Sequence, residues 1–154
     1  MIEHPDHHDA ELMLRLYDLR REEKLRRARE WFTQEFHAES SEDFFERFPF
    51  GSQENAYFRM TVTYWEMAAS IVRHGLINED LFFENNGEFY AVWARIRHLA
   101  PQVRERNRNP TQYHNLEALA AKYEKWLEAR APGAVSAFNE RLKQLASGEG
   151  AKKK

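Results

Sequence analysis

Residues 52–81 carry the clearest alternation of apolar and polar positions in the chain. On an ideal helix Tyr57, Met60, Thr61, Tyr64, Met67, Ala68 and Ile71 form one stripe, and Phe58, Val62, Trp65, Ala69 and Val72 form a second beside it. Arg59, Thr63, Glu66, Ser70 and Arg73 are spaced by four, three, four and three residues. At about 100° per residue they share roughly 80° of arc, one narrow polar face. A helix that is apolar around most of its circumference needs cover on several sides, so the pattern predicts the central helix of a bundle. Ser52 suits its N-cap and Gly75 a left-handed position just past its end. Asn78 suits the cap of the next helix, with Glu79 and Asp80 in a first turn where the helix dipole favours negative charge.

The flanking segments are read the same way. Residues 10–36 predict one long helix, after Asp9 as its N-cap, whose apolar face changes along its length. Leu12, Leu16 and Leu19 lie on one side, whereas Leu14, Leu25, Ala28, Phe32 and Phe36 lie nearly opposite. The later face belongs to the core; the early face is left for another chain or for the C-terminal helix. Between them residues 20–29 are nearly all charged, a solvated run supported by pairs such as Glu22 with Arg26 and Glu23 with Arg27. Ser40 to Asp43 cap a short turn whose Phe44, Phe45 and Phe48 form a hydrophobic plug at one end of the core, stopped by Pro49.

Asn85, Asn86 and Gly87 interrupt the chain before a helix over residues 88–99 with Phe89, Val92, Trp93, Ile96 and Leu99 inward. Pro101 kinks it or opens another. Thr111 is the expected cap of a helix bearing Tyr113, Leu116, Ala120, Tyr123 and Leu127, which ends at Pro132-Gly133. Val135, Phe138, Leu142 and Leu145 mark a last amphipathic helix. No convincing strand period occurs. The expected fold is therefore all-α: a single-domain helical bundle of five to seven helices with a long N-terminal helix. It spans residues 10–146, between a flexible leader at 1–9 and a Gly- and Lys-rich tail at 147–154 expected to be disordered.

Composition narrows the chemistry. A chain of 154 residues suits one domain with one sizeable core. The net charge of −2 gives no overall field to draw nucleic acid or an acidic membrane, so any such role must come from a local patch. With no cysteine, disulfides, thiol catalysis and thiolate metal sites are all excluded. His4, Asp6, His7, His8 and Asp9 supply ligand side chains without a fixed geometry, and no metal or cofactor is assigned to them. The first ten residues lack the basic start and apolar run of a signal peptide, and no run approaches the roughly 20 apolar residues of a membrane span. The expectation is a soluble cytoplasmic protein without a membrane partner.

Tyr64-Trp65-Glu66, then Gly75-Leu76-Ile77-Asn78-Glu79 with Leu81, Trp93 with Arg95 and Arg97, and finally Tyr113, Leu116-Glu117 and Leu119 form a series of short motifs. Over roughly residues 52–126 the chain resembles a bacterial family known as domain of unknown function 4760. The resemblance implies a small helical domain and brings no catalytic site with it.

Three groups of residues remain as candidates. Glu66 is an acid on a mostly apolar helix and needs a partner if it is buried, with Arg95 or Arg97 as the expected one. With Tyr64, Trp65 and Trp93 it would form a polar seam that fixes helix register, or a small-molecule site. Arg104, Arg106 and Arg108, close to Arg95, Arg97 and His98, form a candidate surface for nucleic acid or another polyanion, the less favoured reading. Leu12, Leu16 and Leu19 are the candidate self-association face, which makes a homo-oligomer or a partner protein the expected mode of action. No serine lies in a nucleophile turn, no glycine loop cradles phosphate and no zinc-binding helix occurs, so nothing points to an enzyme.

Overall fold

A computed structural model describes residues 5–146, the side chain of Ala146 excepted. The tail expected to be disordered, 147–154, and the start of the leader with His4 lie outside the described residues. Within them the chain is all-α, with nine helices and no strand. They are α1 (His7–Arg20), α2 (Glu23–Gln34), α3 (Ser41–Arg47), α4 (Gln53–Arg73), α5 (Glu79–Asn85), α6 (Glu88–Ile96), α7 (Ala100–Asn107), α8 (His114–Arg130) and α9 (Ala134–Ala146).

Nine helices replace the expected five to seven for two local reasons. The long N-terminal helix breaks at Arg21 and Glu22. Glu22 takes an extended ψ of 138° and its carboxylate accepts the Leu25 N–H, so it caps a new helix. The turn reconciles the two apolar faces: Leu16 of α1 and Leu25, Ala28 and Phe32 of α2 all enter the same core. The second reason is the stretch after Asn78, which folds as three short helices, with Pro101 in the first turn of α7. The leader is also shorter than expected. Helix α1 starts at His7 with Asp6 as its N-cap, and Asp9 is the return acid of a capping box.

The central position of α4 is as expected. It packs most extensively on α2 and α8 and also touches α5 and α6. Ser52 caps it through the Asn55 N–H, Gly75 follows it at φ 77°, and Asn78 caps α5 through the Leu81 N–H. Trp65 lies fully buried on α4. On one side Phe32, Phe36, Phe44 and Phe58 form an aromatic cluster, with Phe44 and Phe58 centroids 4.5 Å apart. On the other Phe82, Phe83, Phe89, Tyr90 and Tyr123 form a second cluster, against which Trp126 and Phe138 pack. Truncating one such ring to Ala costs about 3–5 kcal/mol, so these two clusters dominate the packing.

Ion pairs and hydrogen bonds join the helices at the rim. Arg29 of α2 binds Glu88 of α6 through two hydrogen bonds, 2.7 and 2.6 Å, and also donates to the Arg20 carbonyl at the end of α1. Asp9 is buried and accepts the backbone N–H of Asn78, which holds the start of α1 against the α4–α5 turn. No helix among the described residues is long and apolar enough to cross a membrane.

Candidate functional site

Glu66 lies part-buried near the middle of α4, but its partner is not an arginine. One carboxylate oxygen accepts the backbone N–H and the side-chain amide of Asn115, both at 3.0 Å; the other accepts the Leu116 N–H at 2.8 Å. Helix α8 needs this. Its N-cap residue Tyr113 is left-handed, at φ 63°, and makes no side-chain cap, while Thr111, the expected cap, bonds to the Asn109 side chain instead. The carboxylate therefore satisfies orphan N–H groups of α8 where the helix dipole favours negative charge. Arg73, about two turns further along the same face of α4, donates to the Asn115 side chain at 2.8 Å and closes the same seam.

Arg95 and Arg97 do other work. The Arg95 guanidinium donates to the carbonyls of Phe32, Thr33 and Phe36 and so closes the C-terminal end of α2, and burial pulls its pKa below the ordinary value. Arg97 pairs with Glu124 at 2.9 Å. Tyr64 donates its hydroxyl hydrogen to the Leu16 carbonyl, Trp65 is fully buried with the Arg20 guanidinium 5.8 Å from its ring, and Trp93 is a core residue. Glu66, Arg95 and Arg97, expected around one polar seam, thus serve separate contacts, while Tyr64 and Trp65 pack edge to face with centroids 4.9 Å apart.

The basic segment is divided in the same way. Arg104 donates to the Gln112 carbonyl at 2.8 Å and pairs with Glu117 at 3.3 Å. His98 donates to the Ala38 carbonyl. Arg108 ends α7 in a left-handed conformation at φ 51°. Arg106 turns to the open space between α3, α4 and α7, where its guanidinium lies 3.8 Å over the Phe45 ring. Of the candidate association face, Leu16 is buried in the core, Leu12 packs partly buried against it, and Leu19 remains exposed. The chain's own core therefore covers most of that face.

The open space beside Arg106 is a cleft of about 430 Å³ between α3, the start of α4, α7 and the α7–α8 loop. Phe44, Phe58, Leu99 and Val103 supply its apolar floor. Phe45 and Phe50 stand at its edge, and Phe50 is 80% exposed. Arg59 of α4 reaches in beside Phe50, its guanidinium 5.1 Å from the ring. The buried Asn55 aims it: the Asn55 amide donates to the Phe48 carbonyl and its oxygen accepts the Arg59 Nε–H, each at 3.0 Å. Gln112 and Tyr113 close the far side, and burial pushes the Tyr113 hydroxyl above its ordinary pKa. Among the described residues no Asp or Glu lines the cleft.

The model of a family described as a domain of unknown function (DUF4760) matches residues 5–126. The chain belongs to this family. No curated protein and no solved structure matches it. The match extends the resemblance of residues 52–126 to α1, α2 and α3, so every residue lining the cleft falls within the DUF4760 span. A second cavity, of about 360 Å³ between the end of α2, α6 and α9, takes Asn139, Leu142 and Lys143 from beyond it. In the DUF4760 domain the Glu66 seam joins two of the short motifs, Tyr64-Trp65-Glu66 and the one at Leu116, into one contact.

From sequence, Phe44 and Phe45 read as a plug in preference to a ligand pocket, and Arg59 read only as one member of a polar stripe. A local signal did exist in Phe50, held between Pro49 and Gly51 where no helix face can bury it. Among the described residues no group of three or more His, Cys, Asp or Glu side chains could hold a metal ion.

Proposed function

We propose that this DUF4760 domain is a non-catalytic cytoplasmic binding module and that its ligand enters the cleft between α3, α4 and α7. One observation carries the reading: outside the cleft, the conspicuous acids and cations are used to hold helices together. Glu66 caps α8, Arg95 closes α2, and Arg29, Arg97 and Arg104 pair with Glu88, Glu124 and Glu117. In the cleft, Arg59 and Arg106 lie on aromatic rings beside an apolar floor with no carboxylate among the lining residues. A concave, mostly apolar site with a few oriented polar groups is the usual form of a small-molecule site. The test is a fragment screen on the ¹⁵N-labelled full chain. Shifts gathered on the amides of Phe45, Phe58, Val103 and Gln112 support the reading; shifts confined to other surfaces overturn it.

A second reading, self-association, draws on Leu14, Tyr17 and Leu19, which are 59%, 45% and 54% exposed on α1. It replaces the face built on Leu12 and Leu16, which the core occupies. Light scattering decides it: a monomeric mass at high concentration removes the reading, whereas a dimer that Leu14→Glu with Leu19→Glu returns to monomer supports it.

A further inference from the structure

The cleft holds two cations and an apolar floor, and that combination narrows its ligand. We infer that it takes a small molecule in which a single carboxylate is joined to an aromatic or branched apolar body, the carboxylate meeting Arg59 and Arg106. The inference rests on the cleft being a binding site. It adds the chemical class of what is bound.

Charge is the first argument. Arg59 and Arg106 line the same cleft from two helices, and neither forms an ion pair among the described residues. Asp43 of α3 is otherwise engaged: it accepts the Glu39 N–H and faces Arg47 at 3.7 Å. An anion entering the cleft therefore meets guanidinium groups that it does not have to take from another carboxylate. The planar fork of arginine matches a carboxylate in two parallel hydrogen bonds.

Orientation is the second. Asn55 fixes the Arg59 Nε–H, which leaves the two terminal nitrogens of that guanidinium without a hydrogen bond among the described residues. Arg106 rests over the Phe45 ring, its guanidinium carbon 3.8 Å from the centroid. Each cation thus has one contact that orients it before a ligand arrives, which lowers the ordering cost of binding.

The floor supplies the third argument, because it separates a carboxylate from a phosphate. Phe44, Phe58, Leu99 and Val103 offer surface without donors, whereas a phosphate needs several N–H groups around three oxygens. The helix starts in the wall already spend N–H groups elsewhere: Ser41 of α3 on the Gln102 side chain, Asn55 of α4 on the Ser52 hydroxyl, Leu99 before α7 on the Ile96 carbonyl, and Asn115 and Leu116 of α8 on Glu66. A volume of about 430 Å³ lies toward the small end of the roughly 300–1,000 Å³ of ligand sites, so the body is one ring or a short branched chain.

The experiment titrates the full chain with 3-phenylpropanoate, its neutral amide 3-phenylpropanamide, and inorganic phosphate, read by amide shifts and calorimetry. The carboxylate is expected to bind at the cleft about tenfold or more tightly than the amide, and phosphate to leave the cleft amides unmoved. Arg59→Gln and Arg106→Gln should each weaken the carboxylate by about tenfold and the amide by much less. The ligand class is overturned if the amide binds as tightly as the carboxylate, or if phosphate competes with it; the cleft then stands with another ligand. If none of the three shifts a cleft amide, while the fragment screen does, the class again fails alone. If the fragment screen is also silent there, the binding site itself is overturned. The comparison of carboxylate with amide uses the unaltered chain, so it holds whether or not the variants fold.

Discussion

The carboxylate of Glu66 holds the backbone N–H of Leu116 at 2.8 Å across fifty residues of chain, and a side chain from the middle of α4 thereby does the work of a cap for α8. The starts of α3, α4 and α5 instead have local side-chain caps in Ser40, Ser52 and Asn78. Here the register of α8 depends on α4, because the donor groups meet the carboxylate only at one axial position of the two helices. The seam ties the secondary structure of α8 to the tertiary packing of the bundle.

Replacing Glu66 with Ala should lower the stability by about 1–3 kcal/mol, the cost of leaving part-buried N–H groups without an acceptor. Glu66→Gln keeps one accepting oxygen and should lose roughly half as much. Urea unfolding measures both. Hydrogen exchange gives the location: the Asn115 and Leu116 amides should exchange faster in Glu66→Ala while the amides of Ala68 and Ala69 keep their protection. Uniform loosening across the bundle would mean that Glu66 acts by general packing and not as a cap.

Arg95 offers a different test, of geometry at constant charge. Its planar group reaches three carbonyls of Phe32, Thr33 and Phe36 together. A lysine ammonium at this position keeps the charge at the C-terminal end of α2 but cannot span the three acceptors. Arg95→Lys should therefore cost about 1–3 kcal/mol in urea unfolding, and salt should recover none of it. A loss below about 0.5 kcal/mol would show that charge at the helix end is enough.

These residues also show which part of the fold was legible in the sequence. Ser52, Gly75 and Asn78 were read correctly because a cap and its acceptor lie within a few residues, and the local pattern contains the whole interaction. The break at Arg21 and Glu22 was not, since both residues are good helix formers and the turn is stabilised by Arg29 and Glu88, contacts made across the bundle. Glu66 was recognised as an acid in need of a partner, but the pattern named only cations as candidates. Backbone N–H groups of a distant helix carry no mark in the sequence. The cleft has the same origin: Phe45, Arg59 and Arg106 belong to three helices, and only their packing turns a plug, a polar stripe and a basic run into one lined space.

The hydroxyl of Tyr64 makes the alkaline limit of the fold predictable. It donates to the Leu16 carbonyl inside the core, and burial is the main cause that pushes its pKa up to about 12, with Arg20 and Arg29 pulling it back. In the unfolded chain a tyrosine ionises near about pH 10. Between these values the unfolded chain has released the proton that the folded chain still holds, so the contribution of Tyr64 is complete below about pH 10 and is lost as pH rises through 12. Tyr90, Tyr113 and Tyr123 are raised as well and act in the same direction. One such proton corresponds to about 1.4 kcal/mol per pH unit at its steepest. Tyr64→Phe removes this share. The variant should be less stable at pH 7 by about 1 kcal/mol, because the Leu16 carbonyl loses its donor, and yet its stability should fall less steeply between pH 10 and 12. Urea unfolding of both proteins at pH 7, 9, 10.5 and 11.5 checks the prediction. Parallel decline of the two curves would place the alkaline sensitivity in the other three tyrosines, and a shallower curve for the variant would assign it to the contact between α1 and α4.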